Sequence, residues 1–441
     1  MPISPLDFSR SLKLTKYISE LEKSQWWPRE KILELQNERL RKLVKHAYEN
    51  VPYYRRLFDE RSLKPEDINS SADLAKLPIL DKKLIRENFN DLLARNFPRS
   101  EMVLSRTGGS TGEPLLFYTT RDEQRNWDIA KRRRVEGWWG YKIGEGCAVL
   151  IKTPRLSLAE RARLFLERHI YLGVERMADE LPLFLKKLYH FQPQLIVGYP
   201  SALYLLARFI AKFGKPKFKP KAVVTVSEQL YDFQKELLEE VFGCHIFRHY
   251  AAWETRQVGA ECPEHSGYHI AAESIVVEVV DNRGINVPVG EEGRIVVTNL
   301  NNYAMPFLRY DLGDVGALSS KDCPCGRGLP LLSKLSGRTT DFIITKDGRR
   351  IPGMAIDFRP LASEGVEQFR FVQESYDGIV IKLVLPEDYP SQSRDELAGR
   401  VSSFYKSLFG GMEISVEFPS ELPLTREGKR RVVVSKLPSD F

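Results

Sequence analysis

Ser105-Arg-Thr-Gly-Gly-Ser-Thr-Gly-Glu-Pro114 is the stretch of this sequence with the strongest structural signal. It contains three glycines and four hydroxyl residues: Gly108, Gly109, Gly112, Ser105, Thr107, Ser110 and Thr111. Glycines allow backbone conformations that side chains forbid. Successive amides in such a turn form a concave nest for an anion, and hydroxyls add donors. The run Leu115-Leu-Phe-Tyr118 then reads as a short strand. We therefore interpret the stretch as a polyphosphate-binding turn between two strands, with a flexible hairpin loop as the alternative.

The composition indicates a globular protein of more than one domain. A chain of 441 residues exceeds what one hydrophobic core usually holds. No apolar run reaches the length of a membrane span, and Met1–Arg10 lacks an apolar signal core, so we expect a cytoplasmic protein with no membrane insertion. The 66 basic and 59 acidic residues give a net charge of +7, which favours an anionic small ligand over nucleic acid. Five cysteines form an incomplete disulfide set, as expected in a reducing cytosol.

Hydrophobic periodicity divides the chain into regions of different secondary structure. Residues 15–50 have helical spacing, and residues 72–94 contain a second helical stretch that is interrupted at Pro78. Between 146 and 249, short apolar runs alternate with amphipathic helices, which predicts a largely parallel sheet. After residue 268 the segments are β-rich and separated by turn residues, which predicts an antiparallel sheet or a small barrel.

The last hundred residues have a mixed pattern of strands and one long helix. The predicted fold class is therefore α/β, with a large N-terminal domain of alternating α/β sheets plus a small β-rich subdomain, and a smaller α+β C-terminal domain. We expect the domains to comprise residues 1–340, with a helical N-terminal region, and residues 341–441.

Four later clusters carry residues suited to nucleotide chemistry. Thr225-Val-Ser-Glu228 ends a strand, where open α/β sheets bind ligands, although a helix N-cap is the alternative. In Tyr250-Ala-Ala-Trp-Glu254, the tyrosine can stack on a base and the glutamate can hold magnesium, or both are ordinary packed and surface residues. Arg309-Tyr-Asp-Leu-Gly-Asp314 offers a carboxylate for ribose hydroxyls, or is a common Asp-Gly turn. Pro423-Leu-Thr-Arg-Glu-Gly-Lys-Arg430 brings Lys429 as a point charge for phosphate, or is a solvated basic loop.

The order of these motifs resembles the adenylate-forming superfamily, in particular its phenylacetate–coenzyme A ligase branch, over essentially the whole chain. Ser105–Pro114 is similar to the phosphate loop of that family. Tyr250–Glu254 resembles its Y-G-x-S/T-E motif, but Ala251 replaces the glycine and Trp253 replaces the hydroxyl residue. These two departures put the shape of the pocket in question.

The remaining family motifs follow in the expected order. Arg309-Tyr310…Gly313-Asp314 resembles R-Y-x-x-G-D, and Gly337-Arg338…Asp341 resembles the hinge motif G-R-x-x-D. Pro423…Gly428-Lys429 is similar to the motif of the C-terminal catalytic lysine.

The resemblance implies a role for each matched residue. Lys429 and Glu254 are the implied catalytic residues, Glu254 also as the magnesium ligand, and Asp341 is the implied hinge. The implied nucleotide-binding residues are Ser105, Thr107, Gly108, Gly109, Ser110, Thr111, Gly112, Ser227, Glu228, Tyr250, Asp314 and Arg338.

The activity that the resemblance implies is the ATP-dependent activation of a carboxylic acid. The acid attacks the α-phosphorus of ATP and expels pyrophosphate, and the acyl-adenylate then passes its acyl group to an acceptor, most simply coenzyme A. The alternatives are an amine, hydroxyl or other acceptor in a polysaccharide or natural-product pathway, transfer of the nucleotide itself, or a degenerate nucleotide-binding homologue. The sequence leaves the oligomeric state open, with a homodimer among the alternatives.

The identity of the acid is only weakly indicated. Trp138-Trp139, Tyr199 and Trp253 are expected near the pocket and suggest an aromatic or apolar acid. Aromatic side chains are equally ordinary components of a core.

The cysteines form a separate constellation. Cys262-x-x-His265 and Cys323-x-Cys325 are separated by a β-rich segment. Three thiolates and one imidazole make a closed, structural type of zinc site, so these four residues are the predicted ligands. His269 is the alternative fourth ligand, and free thiols or a redox pair are the alternatives to a metal. Some members of the branch resemble this chain in carrying zinc here.

Overall fold

The computed structural model describes residues 12–107, 114–154, 156–213, 216–425 and 428–437. Its α-helices are α1 (Leu12–Ser24), α2 (Arg29–Asn50), α3 (Pro52–Glu60), α4 (Lys82–Glu87), α5 (Asp128–Trp138), α6 (Leu158–Leu166), α7 (Met177–Phe191), α8 (Pro200–Phe213), α9 (Asp232–Phe242), α10 (Arg359–Ser363) and α11 (Arg394–Leu408).

The strands of the first part are β1 (Met102–Arg106), β2 (Leu116–Thr120), β3 (Cys147–Leu150), β4 (His169–Tyr171), β5 (Leu195–Gly198), β6 (Ala222–Val226), β7 (His245–Ala252), β8 (Arg256–Glu261), β9 (Tyr268–Ile270), β10 (Ile275–Val280), β11 (Gly293–Asn299), β12 (Tyr310–Leu318) and β13 (Leu331–Arg338). Those of the last part are β14 (Phe342–Ile344), β15 (Arg350–Pro352), β16 (Gln368–Gln373), β17 (Gly378–Val384), β18 (Glu413–Glu417) and β19 (Val433–Ser435).

One mixed sheet of eleven strands is the centre of the fold, in the order β10-β11-β12-β13-β9-β8-β7-β6-β5-β3-β4. The strands from β3 to β7 pair in parallel, as expected for strands joined by helices. The tight turn after β7 allows β8 to pair antiparallel, and the remaining neighbours are antiparallel as well. The β-rich region is thus the antiparallel half of the same sheet, and the two halves meet at β7.

The helical N-terminal region differs from the sequence prediction in two places. The helix expected over residues 15–50 is interrupted between α1 and α2, where Pro28 has an extended conformation that no helix interior accepts. The prediction of helix over 72–94 was wrong for most of these residues, because only Lys82–Glu87 is α-helical there. Ser71–Lys76 forms a 3₁₀-helix instead.

A buried arginine fastens this region to the sheet. Arg309 is 2% exposed, and its guanidinium donates to the Glu278 carboxylate, to the Leu77 carbonyl at 2.6 Å and to the Gly284 carbonyl at 2.8 Å. The pairing continues at Leu80, which exchanges backbone hydrogen bonds with Arg309 and Asp311. The arginine of the R-Y-x-x-G-D motif therefore has a structural role that its position in the motif did not reveal.

Strands β14–β19 and helices α10 and α11 form what we call the C-terminal unit. Its four-stranded sheet has the order β18-β17-β16-β19 and a hydrophobic core of its own around Phe371, Ile381 and Tyr405. Tyr231 and Phe233, at the start of α9, also pack into this core and so join the unit to the main sheet. The boundary between residues 340 and 341 stays a prediction. In the described part of the chain, no helix is both long and apolar enough to cross a bilayer.

Candidate active site

A cleft of about 160 Å³ lies between the carboxyl ends of β6 and β7 and the C-terminal unit. Open α/β sheets bind ligands at this edge. Seven residues predicted from separate motifs line it: Ser227, Glu228, Tyr250, Asp314, Arg338, Asp341 and Lys429. The fold therefore brings together side chains from both halves of the main sheet and from the end of the chain.

Asp314 is the centre of a polar group on the wall formed by the antiparallel half. The Tyr250 hydroxyl donates to its Oδ2 at 2.8 Å, and the Arg338 Nε lies 3.5 Å from its Oδ1. Burial raises the pKa of the Asp314 carboxyl, while the charge of Arg338 and the Tyr250 hydrogen bond oppose that rise. Beside the turn at Gly313, this carboxylate is suited to accept hydrogen bonds from a ligand's hydroxyl groups.

Glu228 fastens the C-terminal unit to the main sheet. Its carboxylate accepts from the Ser201 backbone N–H at 3.0 Å, from the Ser201 hydroxyl at 3.1 Å and from the Arg430 backbone N–H at 2.6 Å. Burial raises the pKa of Glu228, and the Arg430 and Ser201 donors counteract it. The sequence predicted Glu228 as a nucleotide contact, but in the structure protein donors already occupy both of its oxygens.

Lys429 reaches the cleft from the turn next to that contact. The Thr425 N–H donates to the Lys429 carbonyl at 2.9 Å, and the Lys429 N–H donates to the Thr425 hydroxyl at 3.1 Å. The Arg430 bond to Glu228 lies one residue away. The backbone on both sides of Lys429 is therefore held, and its side chain lines the cleft.

Asp341 lies where the chain passes from β13 to β14. Its carboxylate accepts from the Arg431 guanidinium at 2.7 Å, and its backbone N–H donates to the Arg338 carbonyl at 2.8 Å. Asp341 thus contacts segments on both sides of the predicted boundary, a suitable position for a hinge, although that role stays a prediction.

Glu254 lies behind the cleft wall. It is 7% exposed, and its Oε1 accepts from the Tyr310 hydroxyl at 2.6 Å. The charges of Glu254 and Asp314 both raise the pKa of Arg338, which places the three groups within electrostatic range. One buried carboxylate beside the cleft is the type of ligand that magnesium uses together with substrate phosphates.

Lys82 is a residue that the sequence reasoning missed. It begins α4, is half-buried, and lies within electrostatic range of Glu254, Asp314 and Arg338. Burial lowers the pKa of its ammonium, and the two carboxylates counteract that shift. The pairing at Leu80 brings it to the site. In the sequence, Lys82 is recognisable only as a lysine shortly after a proline-containing segment, and nothing in that pattern indicates a site.

The glycine-rich stretch lies between two strands, as predicted. Strands β1 and β2 pair antiparallel, and Thr107 and Leu115 close the hairpin with two hydrogen bonds of 2.9 Å. Ser105 belongs to β1. The other predicted phosphate-binding residues lie outside the described residues: Gly108, Gly109, Ser110, Thr111 and Gly112.

The aromatic residues expected at the acid pocket have other roles. The indoles of Trp138 and Trp139 are buried and donate to Gln25 and to the Glu261 carbonyl. Tyr199 is buried among the helices beside the parallel strands. Trp253 is 52% exposed. None of the four lines the cleft.

Three of the predicted zinc ligands meet at the antiparallel half of the sheet. The ligand atoms of Cys262, Cys323, Cys325 and His269 all lie within 4.8 Å of one another. The Cys262 and Cys323 sulfurs are 3.6 Å apart, and the Cys325 sulfur is 3.3 Å from the His269 Nε2. Three thiols and an imidazole at these separations are the donor set of a structural zinc site.

The fourth member of this cluster is His269, the alternative to His265 that the sequence indicated. The chain turns at His265 with a positive φ of 48°, and the imidazole stacks on Phe247 at 5.1 Å. His269 lies on β9, which pairs with both β8 and β13. Those pairings bring the His269 ring to the cysteines. The imidazole of His265, only three residues after Cys262, lies instead against β7.

Known proteins of one family share this architecture. No protein-family model matches the chain. The phenylacetate–coenzyme A ligase of Thermus thermophilus is 28% identical over 340 residues, 72% of this chain and 73% of the relative. Protein CapK of Staphylococcus aureus is 24% identical over 424 residues, 92% of this chain and 90% of the relative. These similarities support the adenylate-forming superfamily, and within it the phenylacetate–coenzyme A ligase-like branch.

A solved structure of this superfamily also matches the whole fold. The crystal structure of 2-hydroxyisobutyryl-CoA ligase in its postadenylation state, bound to an acyl-AMP, has a TM-score of 0.78 at 20% identity and covers 94% of this chain and 91% of the ligase. The same ligase in its thioesterification state, with coenzyme A, has a TM-score of 0.63. The fold described here is thus more similar to the former structure.

Proposed function

We propose that this protein activates a carboxylic acid with ATP, forming an acyl-adenylate and pyrophosphate, and then transfers the acyl group to the thiol of coenzyme A. The observation that carries the proposal is the convergence of Lys429 with the Tyr250–Asp314–Arg338 group in one cleft. Adenylation of a carboxylate requires a surface that binds the nucleotide, here the Tyr250–Asp314–Arg338 group, and a cation opposite it, here Lys429. The phenylacetate–coenzyme A ligases among its relatives support the same reaction.

The proposed roles follow from the position and charge of each side chain. Asp314 accepts hydrogen bonds from the ribose, while the Tyr250 ring and the backbone around Ser227 border the base. The turn after Thr107 binds the β- and γ-phosphates. Lys429 stabilises the negative charge that develops between the α-phosphate and the attacking carboxylate.

Glu254 is the proposed magnesium ligand, with Lys82 as a second cation beside it. When bound, magnesium neutralises phosphate charge. The carboxylate of Glu254 is oriented by the Tyr310 hydroxyl, which leaves its other oxygen for the ion. Lys82 lies within electrostatic range of both Glu254 and Asp314, so its charge also favours an anionic ligand there.

The acceptor step requires Lys429 to leave the cleft. We propose that the C-terminal unit turns about Asp341, which breaks the bond between Arg430 and Glu228 and admits coenzyme A. The similarity to a postadenylation structure supports the view that the present arrangement is the one for the first step. Ala251 and Trp253 leave an amine or hydroxyl acceptor as the second candidate.

We also propose that the Cys262–His269–Cys323–Cys325 cluster holds structural zinc. None of the five cysteines forms a disulfide, which supports a reducing, cytoplasmic location.

The direct test is acid-dependent ATP–pyrophosphate exchange with a panel of carboxylic acids. Each acid that supports exchange is then incubated with ATP and coenzyme A, and thioester formation is measured against an amine and an alcohol. Exchange that requires an acid, followed by a thioester, supports the proposal. ATP binding without exchange for any acid would favour a degenerate nucleotide-binding protein.

Asp314→Ala is expected to weaken ATP binding with little change in thermal stability. Losing hydrogen bonds to a charged group costs about 1–3 kcal/mol, which is roughly five- to 150-fold in the dissociation constant. Calorimetric titration with ATP measures the effect. Asp377→Ala, which removes a 78%-exposed carboxylate of the C-terminal unit, is the control. Equal ATP affinities for wild type and Asp314→Ala would remove Asp314 from the site.

A further inference from the structure

Helix α1 packs against the chain segment that follows β2 of the glycine-rich hairpin. The Tyr17 hydroxyl donates to the Asp122 Oδ2 at 2.9 Å, and the Tyr17 ring stacks on Trp127 with 4.2 Å between the ring centroids. Burial and this hydrogen bond raise the pKa of Tyr17 to about 12, so the hydroxyl keeps its proton at neutral pH. The Lys13 ammonium lies 3.8 Å from the Asp122 Oδ1. Groups of α1 therefore approach both oxygens of this carboxylate.

The segment that α1 contacts has an irregular backbone. Glu123–Trp127 forms a π-helical turn, in which the Asp128 N–H donates to the Glu123 carbonyl. Turns of this kind are rare and are frequent at functional sites. The Thr120 hydroxyl, at the end of β2, accepts from the Glu123 N–H at 3.0 Å. Because the strand and the turn are linked directly, a displacement of the turn would also move the end of β2.

Helix α1 belongs to a small hydrophobic cluster, separate from the large cores. Its members are Leu14, Ile18, Leu21, Trp127 and Ala130. An isolated helix of 13 residues is marginal in water, so α1 needs tertiary contacts to keep its position. A cluster of this size supplies part of them, and polar contacts at the C-terminal end of α1 supply others.

Those polar contacts come from the loop formed by residues 323–328, which we call the zinc loop. Gln25 directly follows α1, and its side-chain oxygen accepts from the Arg327 Nε at 3.1 Å and from the Trp138 indole at 2.7 Å. The Gln25 carbonyl accepts from the Gly328 N–H at 3.1 Å. The two segments are so close here that a Cβ at Gly328 would lie 1.9 Å from the Trp27 carbonyl oxygen. The zinc loop therefore determines where α1 ends.

The metal cluster connects the zinc loop to the main sheet. Cys323 and Cys325 belong to the loop, whereas Cys262 follows β8 and His269 lies on β9. A structural zinc ion held by all four residues joins the loop to these strands. Through Gln25, the same ion would also fix the end of α1.

We infer that α1 positions the hairpin β1–β2 for the β- and γ-phosphates of ATP, and that the zinc loop in turn positions α1. Tyr17 and Gln25 are the positioning residues at the two contacts. This inference rests on the proposed function, and it gives the N-terminal helix and the metal cluster a part in the first half-reaction.

The first test compares the binding of ATP and AMP to Tyr17→Ala by calorimetric titration of the full chain. The dissociation constant of ATP is expected to rise by roughly two- to 30-fold, the usual range for a residue that acts through its neighbours. AMP lacks the phosphates that the hairpin binds, so its affinity should not change. Tyr17→Phe keeps the stacked ring and should cause a smaller rise for ATP. Tyr376→Ala removes a 51%-exposed tyrosine of the C-terminal unit and is the control.

The second test uses Gln25→Ala, which removes the acceptor between Arg327 and Trp138 but none of the metal ligands. Metal analysis should find the zinc content of the wild type, while ATP affinity falls by roughly two- to 30-fold and AMP affinity is retained. Zinc-free Cys262→Ser, measured well below its melting temperature, should show the same selective loss. Gln392→Ala, at an exposed glutamine before α11, is the control.

The outcomes separate this inference from the proposed function. Equal losses of ATP and AMP affinity in Tyr17→Ala, or unchanged ATP affinity, would overturn the role of α1 while leaving adenylation intact. Unchanged ATP affinity in Gln25→Ala would overturn the role of the zinc loop. Wild-type protein that binds neither nucleotide would overturn the proposed function, and the inference with it.

Discussion

Lys429→Ala is expected to reduce ATP–pyrophosphate exchange by roughly 10²–10³-fold, the usual effect of removing one preorganised donor that stabilises developing charge. The side chain lines the cleft, and the backbone on both sides is fixed by Thr425 and by the Arg430 bond to Glu228. These bonds do not involve the Lys429 side chain, so the substitution is expected to remove the charge and leave the turn in place.

The same variant is expected to complete the second half-reaction at a near-normal rate. When supplied with a chemically prepared acyl-adenylate, it should still transfer the acyl group to coenzyme A, because the proposed rotation withdraws Lys429 before that step. Domain motions of this kind complete one catalytic arrangement at a time. Rapid-quench measurement of thioester formation checks the prediction.

Lys436→Ala is the matched control, since it removes a 59%-exposed lysine of the same C-terminal unit. It should leave both half-reactions unchanged. Equal losses in the two half-reactions of Lys429→Ala would indicate a structural role for that lysine or a mechanism without two arrangements. Normal rates of both half-reactions in Lys429→Ala would favour the alternative, in which Lys429 is a solvated loop residue without a catalytic role.

Removal of the metal is expected to have the largest effect on stability. Purified protein should contain about one zinc per chain, and Cys262→Ser should lose it. The apparent binding energy of structural zinc in small peptides is about 10–16 kcal/mol, so even a fraction of that value would lower the melting temperature strongly. Metal analysis and calorimetry of protein produced with zinc under reducing conditions provide the measurement.

Two pairs of variants make this test specific. Cys244→Ser alters a free cysteine outside the cluster and should retain the metal. His269→Ala should lose zinc, whereas His265→Ala, whose ring stacks on Phe247, should keep it. Zinc-free protein from zinc-replete cells would contradict the site, and metal loss only in His265→Ala would restore the original assignment.

The sequence predicted the parallel half of the sheet well because each strand there is a continuous apolar run between amphipathic helices. Ala222–Val226, one of these apolar runs, is a strand in the structure. The pattern over 72–94 was misleading, since its polar periodicity does not distinguish an α-helix from short 3₁₀ turns that depend on tertiary contacts. The antiparallel strands were predicted singly, but their union with the parallel half depends on the hairpin after β7.

The sequence motifs predicted which residues would lie at the site, but they did not predict which contacts those residues make. Asp314, Tyr250 and Lys429 converge because each ends or follows an element that reaches the same edge of the sheet. The partner of Glu228 is a backbone N–H of the C-terminal unit, and Lys82 arrives through a single pairing at Leu80, so neither contact leaves a pattern in the sequence. The choice between His265 and His269 could not be made from the sequence, because spacing along the chain does not encode the direction of a side chain in a turn.

The contact between Arg430 and Glu228 couples the position of the Lys429 charge to the position of the C-terminal unit. Lys429 and Arg430 are consecutive residues. When the C-terminal unit leaves the main sheet, Lys429 therefore leaves the cleft with Arg430, and when the unit returns, the Lys429 ammonium returns as well. Under the proposed mechanism, the interval between the two half-reactions then depends on the hydrogen bond from the Arg430 N–H to the Glu228 carboxylate and on the other contacts that join the C-terminal unit to the main sheet. An acyl-adenylate formed in the cleft is consequently kept from coenzyme A until these contacts open.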